Sequence, residues 1–289
     1  MHDRRLSIAI PASLVSDVPH LREKTFKIGL IGRATAIFNV DEIIVFPDFP
    51  GKNQRRDIKL ITRVLSYMET PQYLRKQLFK IEPELRYAGI LPPLRTPHHP
   101  LHDRMKDLRI GEHREGVVVS SSEEGSLVNI GVEQPALISN LQLRVNKRVT
   151  VKITSVEEHP KAVLASRDEI KVYWGYSVVV SDVPFGKMVK KGSFDLVVAT
   201  SKHGALFTQI RDKLMKQWKK SRRILVAFGA PTQGLHEIAA REQVRLKEIV
   251  HFTTNTIPNQ GTETVRTVEA VYASLALLNL LKVQGNTKR

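Results

Sequence analysis

Residues 257–278, IPNQGTETVRTVEAVYASLALL, divide into two halves of opposite character. The first half is polar and contains one Pro, one Gly and three Thr. The second half is apolar at helical spacing, which predicts a helix over 263–281. The polar half has two interpretations: a helix start capped by Thr262 or Thr264, or the wall of a pocket that opens onto the helix.

The same arrangement occurs earlier in the chain. The segment IVHFTTN, 249–255, is a predicted strand that leads into the loop just described. In VAFGAPTQGLHEI, 226–238, a hydrophobic strand ends at Phe228 and a loop with Pro231 and two glycines follows. Ligands of open α/β sheets bind beyond the carboxyl ends of strands. The two loops could therefore line one crevice, although each is also compatible with an ordinary strand-to-helix connection.

Further out, strands and helices alternate on both sides of a different kind of segment. The N-terminal part predicts a strand at RLSIAIP, a helix near 21–40, a second strand at DEIIVFP and a helix from 55. This alternation is typical of a doubly wound α/β domain. A Pro- and His-rich linker over 89–108 then leads into short strands at 109–167, the pattern of a small antiparallel β-barrel. We predict an α/β domain formed by 1–94 and 171–289, with an inserted barrel at 95–170.

The composition restricts the partner. Lys and Arg number 45 against 29 Asp and Glu, which gives a formal net charge of +16 and a pI near 10.0. Cationic side chains displace counterions from phosphates, so a nucleic acid is the simplest partner. RNA is favoured over DNA because no helix-turn-helix or zinc-finger pattern is present. An anionic membrane surface is the alternative, but no basic amphipathic helix with a bulky aromatic face occurs.

The absence of cysteine excludes disulfides and thiolate metal sites and fits a reducing compartment. The apolar run at the N-terminus is too short for a signal peptide. The run 268–283 contains Glu269 and falls short of the roughly 18 uninterrupted apolar residues of a membrane helix. We therefore expect a soluble cytoplasmic protein without a membrane partner.

Two motifs argue against other cofactors. Neither GLIGRA nor FGAPTQGL matches GxGxxG or GxxxxGK[ST], so a dinucleotide or NTP site is not expected.

The linker residues His98, His99, His102 and Asp103 lack a further partner of fixed geometry. We therefore predict no metal site, and we favour a basic hinge that touches RNA. The run KQWKKSRR, 216–223, is either a solvated helix end or a track for a phosphate backbone.

Three blocks resemble the SPOUT class of RNA methyltransferases, the α/β-knot fold. GRATAIFNVDEIIVF is similar to the N-terminal motif of that class, LVAFGAPTQGL to its second motif and IPNQGTETVRTVEAVYASLALLN to its third. The segments SYMETPQYLRKQLF and GILPPLRTPHHP, with a barrel inserted next, resemble its archaeal and eukaryotic branch. The stretch REGVVVSSSEEGSLVNIGVEQPALIS is similar to the opening strands of ribosomal-protein-type OB folds, modules that hold nucleic acid.

The resemblance implies a trefoil knot that binds S-adenosylmethionine, and a homodimer with its pockets near the interface. No rule read from the residues predicts a knot. Methyl transfer from a sulfonium needs in-line positioning and removal of a proton, so we expect a pocket of backbone and apolar groups. The predicted cofactor residues are Thr200, Ser201, Phe228, Gly229, Ala230, Pro231, Gly234, Leu235, Ile257, Pro258, Gly261, Thr262 and Val265. Phe228 or Leu235 could pack on the adenine, although core packing also suits Phe228.

The predicted catalytic residues are Arg33, Glu263 and Arg266. Arg33 matches the arginine of the first motif, which implies that it holds a phosphate or stabilises charge on the acceptor. Glu263 is a candidate general base, although an acidic residue in a first helical turn is also ordinary capping chemistry. Arg266 could contact the substrate or the opposing subunit. His203 and His236 are second choices for the base.

Together these observations predict an S-adenosylmethionine-dependent RNA methyltransferase whose inserted OB-like barrel holds the RNA. Ribosomal RNA is favoured over transfer RNA, and the acceptor is either N-3 of a uridine or a ribose 2′-hydroxyl. The alternative is a non-enzymatic RNA-binding ribosome-assembly factor on the same scaffold. A membrane-associated protein is a third interpretation.

Overall fold

Alternating strands and helices build a parallel sheet in the first and last parts of the chain, and a barrel lies between them. The computed structural model describes residues 4–286, with side chains described as far as Lys282. The strands are β1 (Arg5–Pro11), β2 (Glu42–Phe46), β3 (His113–Ser122), β4 (Gly125–Asn129), β5 (Ala136–Ser139), β6 (Arg148–Ser155), β7 (Lys161–Leu164), β8 (Ser177–Val180), β9 (Leu196–Leu206), β10 (Arg223–Ala227) and β11 (Phe252–Asn255). The helices are α1 (Leu21–Ile37), α2 (Arg55–Glu69), α3 (Arg75–Leu78), α4 (Phe185–Lys191), α5 (Phe207–Lys220), α6 (Leu235–Arg241), α7 (Leu246–Ile249) and α8 (Thr267–Asn286).

The sheet has six strands in the order β11-β9-β10-β1-β2-β8, and every neighbouring pair is parallel. Its central strands are nearly continuous apolar runs because helices cover both faces. Since all strands point the same way, their carboxyl ends and the loops that follow lie at one edge. That edge is where an open α/β sheet binds its ligands.

The predicted helices of the sheet unit are present, with two differences. Helix α1 ends at Ile37, shortly before Asn39, whose left-handed φ of 51° does not continue a helix. The last helix begins at Thr267 and not at 263, so the predicted start was wrong. The segment PQYLRKQLF, whose Pro71 is typical of a first helical turn, predicts one helix, but the chain forms a short 3₁₀ turn at Gln72–Leu74 and then α3.

The barrel is closed, with strand order β3-β4-β5-β7-β6. Its pairs are antiparallel except β5 with β7, which is parallel, so the expected all-antiparallel barrel was wrong at this one pair. The parallel pair arises because a long connection through β6 separates β5 from β7, and the chain returns in the same direction. Alternating apolar residues such as Val128, Ile138 and Val151 point inward and form a core of their own.

The chain divides into two compact units. The sheet unit contains 1–66, 84–92 and 176–289, and the barrel unit contains 67–83 and 93–175. Segment 67–83 was expected with the sheet domain, but its side chains bind the barrel. The hydroxyl of Tyr73 donates to the carbonyl of Glu115 at 2.7 Å, and Arg148 forms two hydrogen bonds to the Glu69 carboxylate.

No helix in the part of the chain between residues 4 and 286 is both long enough and apolar enough to cross a membrane.

Candidate active site

A cavity of about 320 Å³ lies at the carboxyl edge of the sheet, beside the middle of β9 and the ends of β10 and β11. Three segments line it: 200–203 within β9, the loop 228–234 after β10, and 255–267 between β11 and α8. The loops after two of these strands were expected to share a crevice, and they do. The third wall comes from β9, which runs past Thr200 to Leu206 because β11 pairs with its second half after a register shift.

Gly229 fixes the shape of the second loop. A Cβ atom at this position would lie 2.9 Å from the carbonyl oxygen of Gln233 and 3.1 Å from Cα of Gly234. The loop is tight because the N–H of Ala230 donates to the same carbonyl of Gln233 at 2.8 Å. Only glycine permits this close approach, so the backbone itself forms this wall of the cavity.

Side-chain hydrogen bonds tie the wall formed by 255–267 to the other two walls. The hydroxyl of Thr267 donates to the carbonyl of Gly229 at 3.1 Å, and the Asn255 amide donates to the carbonyl of Lys202 at 3.0 Å. The hydroxyl of Thr200 donates to the carbonyl of Ala227 at 3.0 Å, which joins the ends of β9 and β10. The three walls therefore hold one another in place without a ligand.

The predicted position of Glu263 in the first turn of a helix was wrong. Glu263 lies in the loop before α8 and lines the cavity, and its carbonyl accepts a hydrogen bond from the Gln260 amide at 3.0 Å. The helix starts at Thr267 because the carboxylate of Glu269 accepts from the N–H of Arg266 at 2.8 Å, half of a capping box. Thr262 and Thr264 do not cap this helix.

Most of the predicted cofactor residues line the cavity, and some do not. Those that line it are Thr200, Ser201, Phe228, Gly229, Ala230, Pro231, Gly234, Ile257 and Val265. Leu235 belongs to the buried core under the loop, and Pro258, Gly261 and Thr262 are exposed beside the cavity. The loop 258–262 turns outward at Asn259, whose φ is 52°.

Two of the predicted catalytic residues lie outside the cavity lining. Arg266 is exposed at the start of α8. Arg33 lies on α1 close to Tyr272 of α8, where its charge opposes the burial that raises the pKa of the Tyr272 phenol. Of the two histidines considered as bases, His203 lines the cavity, whereas His236 lines a separate cavity near α7.

The cavity contains polar groups that the residue pattern did not single out. They include Lys202, Gln233, Glu237, Asn255, Gln260 and Thr267. The signal available for most of them was their position within the two Pro- and Gly-containing loops. Glu237 and Thr267 stand at helix starts, where capping is the usual expectation.

The lining fits a methyl donor that carries an adenosine and an amino acid. Its walls combine backbone, small and apolar groups with the polar side chains just named, a mixture that suits a ligand with an apolar ring and charged ends. The side-chain oxygen of Gln233 is buried and, among the described residues, has no hydrogen-bond partner. An unpaired buried acceptor costs free energy unless a ligand donor reaches it, and an adenine or amino acid amine is such a donor.

Two linker histidines of the barrel unit form hydrogen bonds to the main chain. The Nε2–H groups of His98 and His99 donate to the carbonyl of Glu69 at 2.9 and 2.8 Å. Burial lowers the pKa of both imidazoles to about 4, so both are neutral at physiological pH. The third histidine, His102, lies 3.2 Å from Glu112. In the part of the chain that the structure describes, no group of three or more His, Asp or Glu residues could hold a metal ion.

A buried ion network surrounds those histidines. Arg148 bridges the carboxylates of Glu69 and Glu115 with contacts of 2.6 Å to each. The carboxylate of Glu115 also accepts hydrogen bonds from the indole N–H of Trp174 and from the hydroxyl of Thr150, both at 2.7 Å. Arg148 and these donors lower the pKa of Glu115 against the effect of burial. The network joins 67–70, the linker and the barrel into one unit.

A parallel α/β sheet with a cavity at its carboxyl edge is the arrangement in which open α/β proteins bind their ligands. Residues 5–278 match the family described as "Putative RNA methyltransferase", and the chain belongs to that family. It is therefore an RNA methyltransferase by family membership.

Similar proteins from distant organisms cover nearly the whole chain. A "28S rRNA (uridine-N(3))-methyltransferase" from Homo sapiens is 33% identical over 319 residues, covering 98% of this chain and 80% of that protein. The protein of the same name from Mus musculus is 33% identical over 94% of this chain and 75% of its own length. An "Uncharacterized protein VNG_1688C" from Halobacterium salinarum is 33% identical, covering 95% of this chain and 98% of that protein.

Proposed function

We propose that this protein is an S-adenosylmethionine-dependent methyltransferase that modifies N-3 of a uridine in large-subunit ribosomal RNA. The observation that carries the proposal is the cavity formed by three interlocked segments, which are the middle of β9 and the loops after β10 and β11. The names of the relatives from Homo sapiens and Mus musculus support the acceptor. They favour N-3 of uridine over a ribose 2′-hydroxyl.

The chain's own residues would hold the donor mainly through backbone. S-adenosylmethionine, when bound, supplies a methyl group activated by the sulfonium charge. The loop at Gly229 and the stretch of β9 at Thr200 would present main-chain groups to the ligand, and the oxygen of Gln233 would accept a hydrogen bond from one of its amines. Because the donor is already activated, positioning of the acceptor is the main task of the pocket.

Glu263 would act as the general base. N-3 of uridine carries a proton that must leave when the methyl group arrives, and a carboxylate beside the acceptor can take it. Glu263 lines the cavity on an exposed loop, where a nucleotide from outside can reach it. Arg33 and Arg266 lie outside the lining, and we propose that they contact RNA or a partner subunit.

Three further features belong to this proposal. A trefoil knot is supported by the way 255–267 packs against both 200–203 and 228–234. A homodimer is supported by apolar side chains left exposed on the neighbouring helices α1 and α8, Phe26, Ile37 and Leu280. RNA binding by an OB-like barrel is supported by the closed five-stranded barrel and by the net charge of the chain. The cytoplasmic setting stays a prediction.

Two measurements test the proposal. Isothermal titration calorimetry with S-adenosylmethionine should show binding, and the absence of heat at high micromolar ligand would argue against a methyltransferase. Mass spectrometry of ribosomal RNA from a strain lacking the gene should show one uridine without its N-3 methyl group, restored by the wild-type gene. Normal methylation in that strain, with a defect in ribosome assembly, would instead support a non-enzymatic assembly factor.

A further inference from the structure

A cluster of unpaired cations lies in the connection between β2 and α2. We use the name β2–α2 loop for residues 47–56, which are the connection after β2 and the first two residues of α2. Lys52, Arg55 and Arg56 are exposed, and the structure gives none of the three an ion pair with a described carboxylate. Their neighbours Asp57 and Lys59 are paired with Lys24 and Glu84, and the carboxylate that shares a surface cavity with Lys52 and Arg55 is that of Asp182. The three exposed cations therefore outnumber the carboxylate of Asp182 beside them, and the ammonium of Lys52 lies 5.5 Å from the centre of the Phe49 ring.

The β2–α2 loop is held in one conformation by two buried side chains. The carboxylate of Asp48 accepts from the amide of Gln54 at 2.8 Å and from the hydroxyl of Ser13 at 2.5 Å. The Gln54 side-chain oxygen accepts in return from the N–H groups of Asp48 and Phe49, at 3.0 and 3.1 Å. A surface loop that is already ordered loses little conformational entropy when it binds a partner.

The loop lies at the same sheet edge as the cavity. Strand β2 is parallel to the others, so its carboxyl end and the loop after it belong to the edge that carries the cavity. Helix α6 connects the two places. It starts next to Gly234 in the cavity wall and ends at Arg241, whose guanidinium lies 3.7 Å from the ring of Phe49 and donates to the carbonyl of Asp48. Seven helical residues span roughly 10 Å.

The more conspicuous basic run of the sequence lies at the opposite edge. Residues 216–223 contain the end of α5 and the start of β10, which is the amino end of that strand. The N–H groups of Arg222 and Arg223 donate there to the carboxylate of Asp195 at 2.8 Å, and Arg4 donates to the carbonyl of Ser221. This run is therefore remote from the cavity and in part engaged in binding the main chain.

We propose that Lys52, Arg55 and Arg56 bind the phosphate backbone of the RNA substrate beside the nucleotide that enters the cavity. The inference rests on the proposed function, because it assumes that the cavity serves an RNA nucleotide. The positive end of α2, a helix of 15 residues, adds to the attraction for phosphate. Arginine and lysine suit the task because they contact phosphate without reading the base.

The test compares two variants with the same change in charge. The variant Lys52→Gln/Arg55→Gln/Arg56→Gln removes the cluster, and Lys216→Gln/Lys219→Gln/Lys220→Gln removes three exposed cations at the opposite edge. Affinity for a short fluorescein-labelled single-stranded RNA rich in uridine is measured by anisotropy between about 50 and 200 mM salt. Calorimetry with S-adenosylmethionine and thermal unfolding check that both variants are folded.

We expect the first variant to bind RNA more weakly, with a slope of log affinity against log salt shallower by about two, since each phosphate contact contributes about 0.7 on a single strand. The second variant should match the wild type, and Lys52→Arg/Arg55→Lys/Arg56→Lys should restore binding. Equal weakening in both glutamine variants, or no change in the first, overturns the proposed surface. A wild-type protein that binds no RNA overturns the proposed function as well.

Discussion

Gly229 and Gly261 show how differently two glycines of similar loops contribute to a site. Both stand in Pro- and Gly-containing loops after a strand, and both were predicted cofactor residues. A Cβ atom at Gly229 would collide with the turn formed by Gln233 and Gly234, whereas a Cβ atom at Gly261 would meet nothing within 4 Å. The first glycine shapes the cavity wall, and the second stands in open space.

Gly229→Ala is therefore expected to weaken the binding of S-adenosylmethionine. Displacing the loop costs about 1–3 kcal/mol, which corresponds to tenfold or more in affinity for the middle of that range. Gly261→Ala is the matched control and should bind within about twofold of wild type, since it is an exposed substitution. Calorimetry measures both affinities, and equal losses in the two variants would contradict the assignment of the wall.

Glu263→Gln tests the general base. The amide keeps the size of the side chain but cannot accept the proton from N-3, so methylation should slow by roughly 10²–10⁴-fold. Binding of S-adenosylmethionine should change little. Single-turnover transfer of a radiolabelled methyl group to ribosomal RNA measures the rate.

The control for this experiment is the other carboxylate of the cavity lining, Glu237. Glu237→Gln should keep most of the single-turnover rate. A large loss in Glu237→Gln together with a normal rate in Glu263→Gln would transfer the role of the base to Glu237.

The sequence was sufficient to predict the backbone walls of the cavity, because Gly229 and Pro231 follow a strand that is apolar throughout. It was not sufficient for Lys202 and Asn255. Those two meet only because β11 pairs with the second half of β9 after a register shift. No periodicity within either segment contains that long-range pairing. Leu235 was misplaced for a related reason, since the core beneath the loop is assembled from residues of β1, β2, α4, β9, β10, α6 and α7.

At the scale of elements, the start of α8 was predicted four residues too early. The Thr-rich stretch before it offers several possible caps, but the Glu269 carboxylate binds the N–H of Arg266 and fixes the start at Thr267. The three residues before Arg266 therefore lie outside the helix and form part of the cavity wall made by 255–267. The barrel was predicted from its short strands and turns. That segment 67–83 belongs to the barrel unit could not be predicted in this way, because it depends on the contact between Arg148 and Glu69, which are far apart in sequence.

The histidines of the linker give the barrel unit a predictable response to acid. His98 and His99 have folded pKa values of about 4, below the value near 6.5 expected in the unfolded chain. The unfolded state therefore binds more protons between these values, and stability is lost as pH falls from about 6.5 towards 4. The urea midpoint of the barrel unit should decrease over this range and stay level from pH 7 to 8.

The variant His98→Gln should reduce that dependence, because the amide can still donate to the carbonyl of Glu69 but does not titrate. His159→Gln, at an exposed position of the same unit, should leave it unchanged. Trp174 reports on this unit by fluorescence once Trp218 is replaced by Phe, a substitution that removes a buried N–H without a partner among the described residues. An undiminished pH dependence in His98→Gln would contradict the assignment.

At the scale of the whole molecule, the exposed apolar residues of α1 and α8 predict the state of association. These helices are neighbours, since the ammonium of Lys282 donates to the carbonyl of Phe38 at 2.7 Å, and Ile37 and Leu280 are 48% and 56% exposed. A polar change at a buried subunit interface removes its hydrophobic contribution and adds an unpaired charge. Ile37→Glu/Leu280→Glu should therefore sediment as a monomer and the wild type as a dimer.

Leu101→Glu is the control for the sedimentation experiment, because Leu101 is 85% exposed in the barrel unit, away from both helices in the sequence. It should remain dimeric. A wild-type protein that sediments as a monomer would contradict the proposed homodimer.

The interleaving of the two units has a consequence for synthesis on the ribosome. The central strand β1 needs β10 on one side, and β10 is translated only after every strand of the barrel. Nascent chains commonly fold their first domain first. Here the sheet unit begins first and is completed last. Strands β1 and β2 therefore leave the ribosome before β10 is available to pair with β1, and the barrel can fold in the meantime. Codon usage or chaperone binding that protects β1 and β2 during this interval would directly affect the yield of active enzyme.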